Sequence, residues 1–319
     1  MKHLTSSSIA LLASLIPVTA TAQIGRSYSA SHFALKLDGA QVGLLQSSTG
    51  GGVYADVVEE LTSNDYFSRK HLGRPKYQDI SVTSGFGLGH PFWEWIESTL
   101  EMKHTRKSGS IVAADFNFAA RTEREFFHAL ITEIGIPACD GSSKDPAYIG
   151  VKFQPEYTKY KKADGKFEST INDKQKTWLP SNFRLELGDL DTKHVSRIAA
   201  ITIKQSISRD AVGDSRDYQI EPGKIEFPDL KITIPNSALQ SWVNWEEDFI
   251  VKGNNGDKQE KSGALVFLAT NRTDELARLL LLNCGIFNLV DAMSDDGKPH
   301  VGFSTASIYC ERMELHVGK

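Results

Sequence analysis

The sequence predicts a mainly β (α+β) fold made of two tandem copies of one unit, each with a single flanking helix. Short motifs recur in the same order about 150 residues apart, which indicates an internal repeat. Apolar and polar residues alternate in short stretches, as expected for half-buried strands. One stretch in each copy places aromatic residues at helical spacing, which indicates a helix with one buried face.

The repeat is carried by several motif pairs that keep their order along the chain. The segment at 33–37 recurs at 183–187, and the segment at 77–82 recurs at 227–232. Further pairs are Phe92 with Trp242, Trp95 with Trp245, the Lys-Ser-Gly motifs at 107–109 and 261–263, Gly135 with Gly285, Ile149 with Val301, and Tyr157 with Tyr309. The common order and nearly constant spacing indicate a duplication.

The repeat also predicts the domain boundaries. The first unit is expected at 28–163 and the second at 178–318. The polar, turn-rich stretch 164–177 is expected to link them. A chain of 319 residues is long enough for two domains of ordinary size.

In the first unit, alternation at 33–37 and 80–82 predicts strands. Pro91 suits the first turn of a helix that runs to about Met102. The stretch 121–136 fits either a helix or a strand buried on both faces, because its apolar residues follow neither period strictly. An alternating strand around 151–157 closes the unit.

The second unit repeats this order. Asn236 is predicted to be the N-cap of the second helix, because its side chain suits that position. The apolar face of this helix is expected to contain Leu239, Trp242, Trp245 and Phe249. The two Lys-Ser-Gly motifs are predicted to turn the chain into strands at Ile111 and Leu265, and a strand at 304–317 closes the unit.

Composition excludes several classes of function. Lys and Arg total 36 and Asp and Glu total 40, so the formal net charge is −4. A nucleic-acid binder needs a basic surface to displace counterions from phosphates, and this function is not expected. The three cysteines are too few and too scattered for a disulfide scaffold or a zinc site.

Residues 1–22 have the layout of a secretory signal peptide. Lys2 precedes an apolar stretch at 9–16, and Ala20 and Ala22 frame a cleavage site. The alternative is a disordered or amphipathic N-terminal arm. The apolar stretch is shorter than the roughly 20 residues that a membrane span needs. Cleavage after Ala22 predicts a periplasmic or secreted protein.

No motif carries a complete catalytic, cofactor or metal signature, so no such residues are predicted. The glycine-rich loop at 85–89 lacks the spacing of a phosphate-binding loop and is expected to be a flexible connection. His128, with Glu125 or Glu133 as a neighbour, is expected to be a packed or surface histidine, because no nucleophile motif accompanies it.

Two acidic pairs have the spacing of possible calcium ligands, but no calcium-binding loop surrounds them. They are therefore expected to be solvated turns: Asp189 with Asp191, and Asp295 with Asp296. Asn271 begins an Asn-Arg-Thr sequence that fits the weak pattern of an N-glycosylation site.

Cys284 and Cys310 are expected either to pair in an oxidising compartment or to be buried as small apolar residues. The tryptophans are expected in the core: Trp93, Trp95, Trp178, Trp242 and Trp245. An exposed aromatic row would instead favour the alternative function, a secreted β-sandwich that binds carbohydrate or a surface ligand.

An ordered set of motifs covers most of the first unit. It comprises residues 28–33 leading into 35–39, Arg69 and Lys70, the Gly-Arg-Pro-Lys-Tyr segment at 73–77, Ile80, a helix with Trp93 and Trp95, and the segment at 106–112. This set resembles the tail tube proteins of phages with contractile tails. The second unit keeps the pattern more loosely, with the segment at 223–227 in place of 73–77.

The resemblance implies a small β-barrel or sandwich with one flanking helix in each unit, and it favours a strand at 121–136. It also implies rings around a central lumen that stack into a tube, an architecture shared with the tube protein of type VI secretion systems. Family members usually have one such domain per chain and assemble in the cytoplasm without a signal peptide. Cytoplasmic assembly or a virion tail is therefore the alternative location.

The predicted function is a non-enzymatic structural protein that self-assembles into rings or a tube, with sheath-like or baseplate-like proteins as further partners. Three two-unit chains would supply six ring positions. Two long polar segments, at 46–74 and 204–224, are expected to be arms that mediate ring stacking, and mobile surface loops are the alternative. The small residues at 47–52 are expected to contribute nothing to a packed core.

Overall fold

The computed structural model describes residues 32–61, 66–166, 178–293 and 299–318. The predicted signal peptide at 1–22, the acidic pair Asp295 and Asp296, and the predicted linker beyond its first three residues lie outside the described residues.

The first half of the chain is mainly β, as predicted. Its elements are β1 (His32–Leu37), β2 (Ala40–Leu45), β3 (Ser47–Gly50), β4 (Val53–Glu60), β5 (Arg69–Tyr77), β6 (Ile80–Ser84), α1 (His90–Leu100), β7 (Lys107–Ala114), β8 (Ala120–Ile136), β9 (Cys139–Asp140), β10 (Ile149–Gln154) and β11 (Tyr157–Lys162). The ambiguous stretch at 121–136 is therefore a strand.

The second half runs through a closely similar order of elements. They are β12 (Phe183–Leu187), β13 (Arg197–Ile198), β14 (Ile201–Ala211), β15 (Tyr218–Glu226), β16 (Leu230–Pro235), α2 (Gln240–Glu246), β17 (Lys261–Leu268), β18 (Glu275–Met293) and β19 (Pro299–Val317). Within the described ranges, no helix is long and apolar enough to cross a membrane.

One long strand organises each half. The N-terminal part of β8 lies between β7 and β11, and its C-terminal part lies between β10 and β14. The N-terminal part of β18 lies between β17 and β19. Among the described residues, the C-terminal part of β18 pairs with β19 alone.

The first helix forms close to its predicted position. Pro91 lies in its first turn, and the apolar face formed by Phe92, Ile96 and Leu100 is buried. The helix ends before Met102, which adopts a left-handed conformation with φ of 61°. The sequence placed the end of the helix about two residues too late.

The predicted N-cap of the second helix is wrong. Asn236 begins a 3₁₀ turn, and α2 begins only after Leu239. The Asn236 side chain instead accepts a hydrogen bond from Ser304 Oγ at 3.0 Å. A π-helical turn at Glu247–Val251 continues α2 and brings Phe249 into the core.

The Lys-Ser-Gly motifs lie inside β7 and β17, and the prediction that they form turns is wrong. Gly109 lies opposite Leu37, and Gly263 lies opposite Leu187. A Cβ atom on Gly109 would lie 2.1 Å from the Lys36 carbonyl oxygen, and one on Gly263 would lie 1.9 Å from the Glu186 carbonyl oxygen. Glycine is therefore required in both strands by the close approach of the neighbouring backbone.

Strand register also changes part of the predicted motif pairing. The pair Phe153 opposite Ile131 has its counterpart in Ile308 opposite Ile286. Each pair lies directly beside the register shift in its long strand, β8 or β18. Gly135 therefore corresponds to Val290 and not to Gly285. Insertions before β17 and in the turn between β17 and β18 lengthen the spacing between equivalent residues of the two halves. This longer spacing then applies to every later position. The matches of Ile149 with Val301 and Tyr157 with Tyr309 fail for the same reason.

The two predicted arms are β-hairpins. We call β4 with β5 the first arm and β14 with β15 the second arm. They share a register, since Tyr54 lies opposite Lys76 and Lys204 lies opposite Glu226. Each has a bulge two positions further along, between Ala55 and Val57 or between Gln205 and Ile207. Both segments therefore contain paired strands, and the alternative interpretation of them as loops is wrong. The small residues at 47–50 also form β3, which pairs with β6.

A continuous apolar core extends through both halves. Phe153 lies between Trp95 and Phe126, with ring centroids 5.2 and 4.8 Å away. Phe86 contacts both Trp178 and Phe267 at 5.2 and 5.6 Å, and so joins the first half to the second. The described halves therefore share a core as well as a sheet.

Candidate functional site

The glycine-rich loop at 85–89 connects β6 to α1 and packs against the core. Leu88 is buried, and its carbonyl oxygen accepts a hydrogen bond from Trp93 Nε1 at 2.9 Å. The Gly89 N–H donates to the Val42 carbonyl at 2.8 Å. These contacts give the loop a structural role, because they anchor its end to β2 and α1.

His128 lies at a bulge and interacts with a residue that sequence reasoning missed. Its Nδ1 lies 2.9 Å from Glu156 Oε2, and its φ is 50°. Glu125 instead pairs with Lys161, and Glu133 pairs with Lys152.

The same bulge recurs in the second half without a histidine. Asn283 has a φ of 52° and donates from Nδ2 to Glu311 at 2.8 Å. Ser108 accepts the His128 backbone N–H, and Ser262 accepts that of Asn283. A histidine and an asparagine therefore hold equivalent places, and their shared feature is a bend in a long strand.

The described acidic pair does not converge on an ion site. Asp189 pairs with Lys261, which holds the pKa of this carboxyl below its ordinary value. The Asp191 side chain accepts the Lys193 backbone N–H at 3.3 Å. Over the described ranges, no group of three or more potential ligands is placed to hold a metal ion.

Asn271 lies in an exposed turn that its own side chain stabilises. Its Oδ1 accepts the backbone N–H groups of Thr273 and Asp274 at 3.1 and 3.0 Å. Glycosylation at this position stays a prediction.

Cys284 and Cys310 lie directly opposite each other on β18 and β19. Both thiols are buried and free, with the sulfur atoms 2.8 Å apart. The thiol–thiol contact and burial raise the pKa of Cys310. Cys139 is also buried, which raises the pKa of its thiol to about 12. The structure thus places the two cysteines together, and their oxidation stays a prediction.

The tryptophans do not form a binding platform. All five of them are buried, as the sequence predicts: Trp93, Trp95, Trp178, Trp242 and Trp245. A carbohydrate-binding face requires exposed aromatic rings, so these residues give no support to the alternative function.

The most informative feature is a sheet junction between the two halves, which sequence reasoning missed. Strand β14 of the second half pairs antiparallel with the C-terminal part of β8, so that Ile203 lies opposite Ile134 and Lys204 opposite Glu133. Strand β13 also pairs with β9. Each half therefore extends a sheet of the other through backbone hydrogen bonds.

Side chains reinforce this junction. Arg106 Nη2 donates to the Ile220 carbonyl and to Glu221 Oε1 at 2.7 and 2.8 Å. Arg209 Nη2 donates to Gln154 Oε1 at 2.6 Å, and Gln154 is itself buried. The second arm is thus held by charge-assisted hydrogen bonds as well as by the sheet.

The two arms also contact each other. Tyr77 Oη donates to Asp217 Oδ1 at 3.0 Å, and Arg74 Nη1 donates to the Ser215 carbonyl at 2.6 Å. In return, Arg216 Nη2 donates to the Gly73 carbonyl at 3.1 Å. These bonds hold the arms side by side at one edge of the molecule.

The first arm has no counterpart of the β8 pairing within the described chain. Of the strands that the structure describes, β4 pairs only with β5. The outer surface of the first arm carries exposed apolar residues: Val53, Tyr54, Val57, Val58, Leu61, Tyr66, Phe67 and Leu72. An edge strand with exposed apolar residues is suited to adding to another sheet.

The chain matches no protein-family model and no curated protein. Among solved structures, it is similar to the cap that terminates the tube of the anti-feeding prophage, with 19% identity over 46% of this chain and 100% of that chain, at a TM-score of 0.39. It is also similar to a chain of the PVC sheath–tube complex, an extracellular contractile injection system, with 17% identity over 46% of this chain and 99% of that chain, at 0.39. A chain of the anti-feeding prophage baseplate matches with 11% identity over 42% of this chain and 96% of that chain, at 0.38.

Proposed function

We propose that this protein is a non-enzymatic structural protein that self-assembles head to tail into rings. The internal sheet junction carries this proposal. One unit already adds a strand to its neighbour along the chain, through pairs such as Ile203 opposite Ile134. A unit that makes this contact once within the chain has the surfaces to make it again between chains. Such a heterologous contact closes into a ring when its rotation divides the circle.

The two-unit organisation determines the expected stoichiometry. If each unit takes one of six equivalent positions, as the tail-tube resemblance implies, three chains complete a ring. Stacking of rings through the exposed arms would then produce a tube, with sheath-like or baseplate-like proteins as further partners. The part of the first arm beyond Tyr54 supports this role, because Val57, Val58 and Leu72 are exposed in the single chain.

The experiment is a mass measurement by light scattering across a concentration series, followed by electron microscopy of the largest species. The expected result is a trimer of the chain that gives rings with pseudo-sixfold averages and, at higher concentration, stacks of rings. A protein that stays monomeric up to high micromolar concentration contradicts ring formation.

We further propose that the protein is exported, with cleavage after Ala22. The proposal is supported by the order of a basic start, an apolar stretch and a small-residue site within residues 1–22. N-terminal sequencing of protein from fractionated cells is expected to give Gln23 outside the cytoplasm. An intact Met1 in the cytosolic fraction would contradict it.

A further inference from the structure

We propose that the ring closes by addition of β4 of one chain to the C-terminal edge of β18 in a second copy of the chain, an edge that has no strand partner among the described residues. In this pairing Tyr54 lies opposite Asn288. The inference rests on the proposed ring assembly and names the surface that performs it. The template for this contact is the junction between β14 and β8 within the chain.

The register follows from equivalent positions in the two halves. In the arms, Tyr54 corresponds to Lys204. Tyr54 pairs with Lys76 in the first hairpin and Lys204 pairs with Glu226 in the second, and both pairs lie at the same distance from the bulge of their hairpin. In the long strands, Asn288 corresponds to Glu133. The pair Asn288–Ser307 and the pair Glu133–Lys152 are each the first pair beyond the register shift in their long strand.

The junction within the chain pairs Lys204 with Glu133 and Ile203 with Ile134. The equivalent contact between chains pairs Tyr54 with Asn288 and Val53 with Leu289. Both strands run antiparallel, so each supplies the backbone donors and acceptors that the other lacks.

Side-chain exposure agrees with this assignment. Ile203 is 2% exposed in the junction, whereas the corresponding Val53 is 65% exposed. On the receiving strand, Val290 is 49% exposed and Phe287 is 46% exposed. Apolar residues thus lie uncovered on both strands that the inference brings together, and burying them favours association.

The helices show the same contrast. Leu100 of α1 is 1% exposed and lies beside Ile203 and Ile225 of the second arm. The corresponding residue after α2 is Ile250, and it is 41% exposed. An arm placed against the second half would cover Ile250 as the second arm covers Leu100. The exposed residues on β4, on the edge of β18 and at Ile250 are therefore all explained by one contact. In this contact the first arm of one chain packs against the second half of another.

The test is disulfide cross-linking of the double variant Tyr54→Cys with Asn288→Cys. Directly opposed residues of paired strands have Cα atoms about 4.5–5.5 Å apart, which suits a disulfide. After mild oxidation by diamide, which takes up two electrons and two protons for each disulfide formed, non-reducing gels are expected to show covalent dimers and trimers. Light scattering of the same sample should show the trimer mass.

Two matched variants control the register and the chemistry. Val58→Cys with Asn288→Cys moves the first thiol four residues along β4, and no cross-linked oligomer is expected. Lys204→Cys with Glu133→Cys places thiols across the junction within the chain, and an internal disulfide is expected with no gain in mass. The native cysteines are all buried, so the wild-type protein is expected to give no ladder.

The outcomes separate this inference from the proposed function. A trimer by light scattering without the Tyr54–Asn288 cross-link overturns the β4–β18 pairing and leaves ring assembly standing. A monomer at every concentration, in wild type and variant alike, overturns both. Equal cross-linking from Val58 and Tyr54 also overturns the register, because only one of these positions lies opposite Asn288 in the proposed pairing.

Discussion

The two arms are built alike but differ in what covers them. The second arm continues into the sheet of the first half through β8, and its inner residues Ile201 and Ile203 are buried. The first arm has the same register and the same bulge, yet it pairs only with itself in the described chain. The burial of an arm therefore depends on whether a neighbouring sheet lies against it, and the chain itself supplies such a sheet for the second arm.

The exposed apolar residues of the first arm have covered counterparts in the second arm. A solvated hairpin gains nothing from valines at positions such as Val53 and Val57, and an exposed edge strand of this kind is prone to pair with other chains. The second arm carries isoleucines at the equivalent positions, Ile203 and Ile207, and Ile203 is covered by β8.

The largest expected effect on stability comes from shortening a buried side chain of the second arm. Ile203→Ala removes a buried side chain from the junction and is expected to lower the free energy of unfolding by about 2–5 kcal/mol. The equivalent variant Val53→Ala is expected to change it by less than about 0.5 kcal/mol in the monomer, because the side chain is exposed. Urea unfolding at low protein concentration measures both.

Val53→Ala should instead affect the association of chains. It is expected to shift the monomer–trimer transition to higher concentration, which Ile203→Ala does not do directly. If the two variants destabilise the dilute protein equally, the first arm is already covered within the chain and the comparison fails.

Much of the fold was predictable because its signals are local. Alternation at 33–37 and 183–187 predicted strands that the structure contains, and the aromatic stripe of α1 predicted its buried face. The stretch at 121–136 was not decided by its own periodicity, because apolar residues occur on both faces of β8. Only the family resemblance favoured a strand there.

The strands of the arms were missed for a physical reason. The β4 sequence alternates poorly, since Val57 and Val58 are adjacent and exposed, so no period of two marks it as a strand. The pairing of β14 with β8 joins residues far apart in the chain, and backbone hydrogen bonds leave no pattern in a single sequence. The junction therefore became visible only in three dimensions.

The failed motif matches show how insertions mislead. Gly135 and Gly285 are identical and lie at the main repeat spacing, but insertions between α2 and β18 shift the true counterpart of Gly135 to Val290. His128 and Asn283 were not matched, although they share the same backbone bulge and the same kinds of partner. Conformation identified this pair where residue identity did not.

A smaller effect is expected from the bond that ties the first arm to the second. Tyr77→Phe removes the hydrogen bond to Asp217 and is expected to cost about 0.5–1.5 kcal/mol of unfolding free energy at neutral pH. Burial, and then the bond to Asp217, raise the pKa of Tyr77 to about 12, above its ordinary value of about 10. Because the folded state holds this proton more tightly, the stability from this group is complete below pH 10 and is lost as the pH rises from 10 to 12. The difference in unfolding free energy between wild type and Tyr77→Phe should therefore narrow across that range, as measured by urea unfolding at several pH values.

Tyr54→Phe, on the exposed part of the same arm, controls for the loss of a tyrosine. A difference that stays constant from pH 8 to pH 12 would show that the arms are not coupled through this phenol.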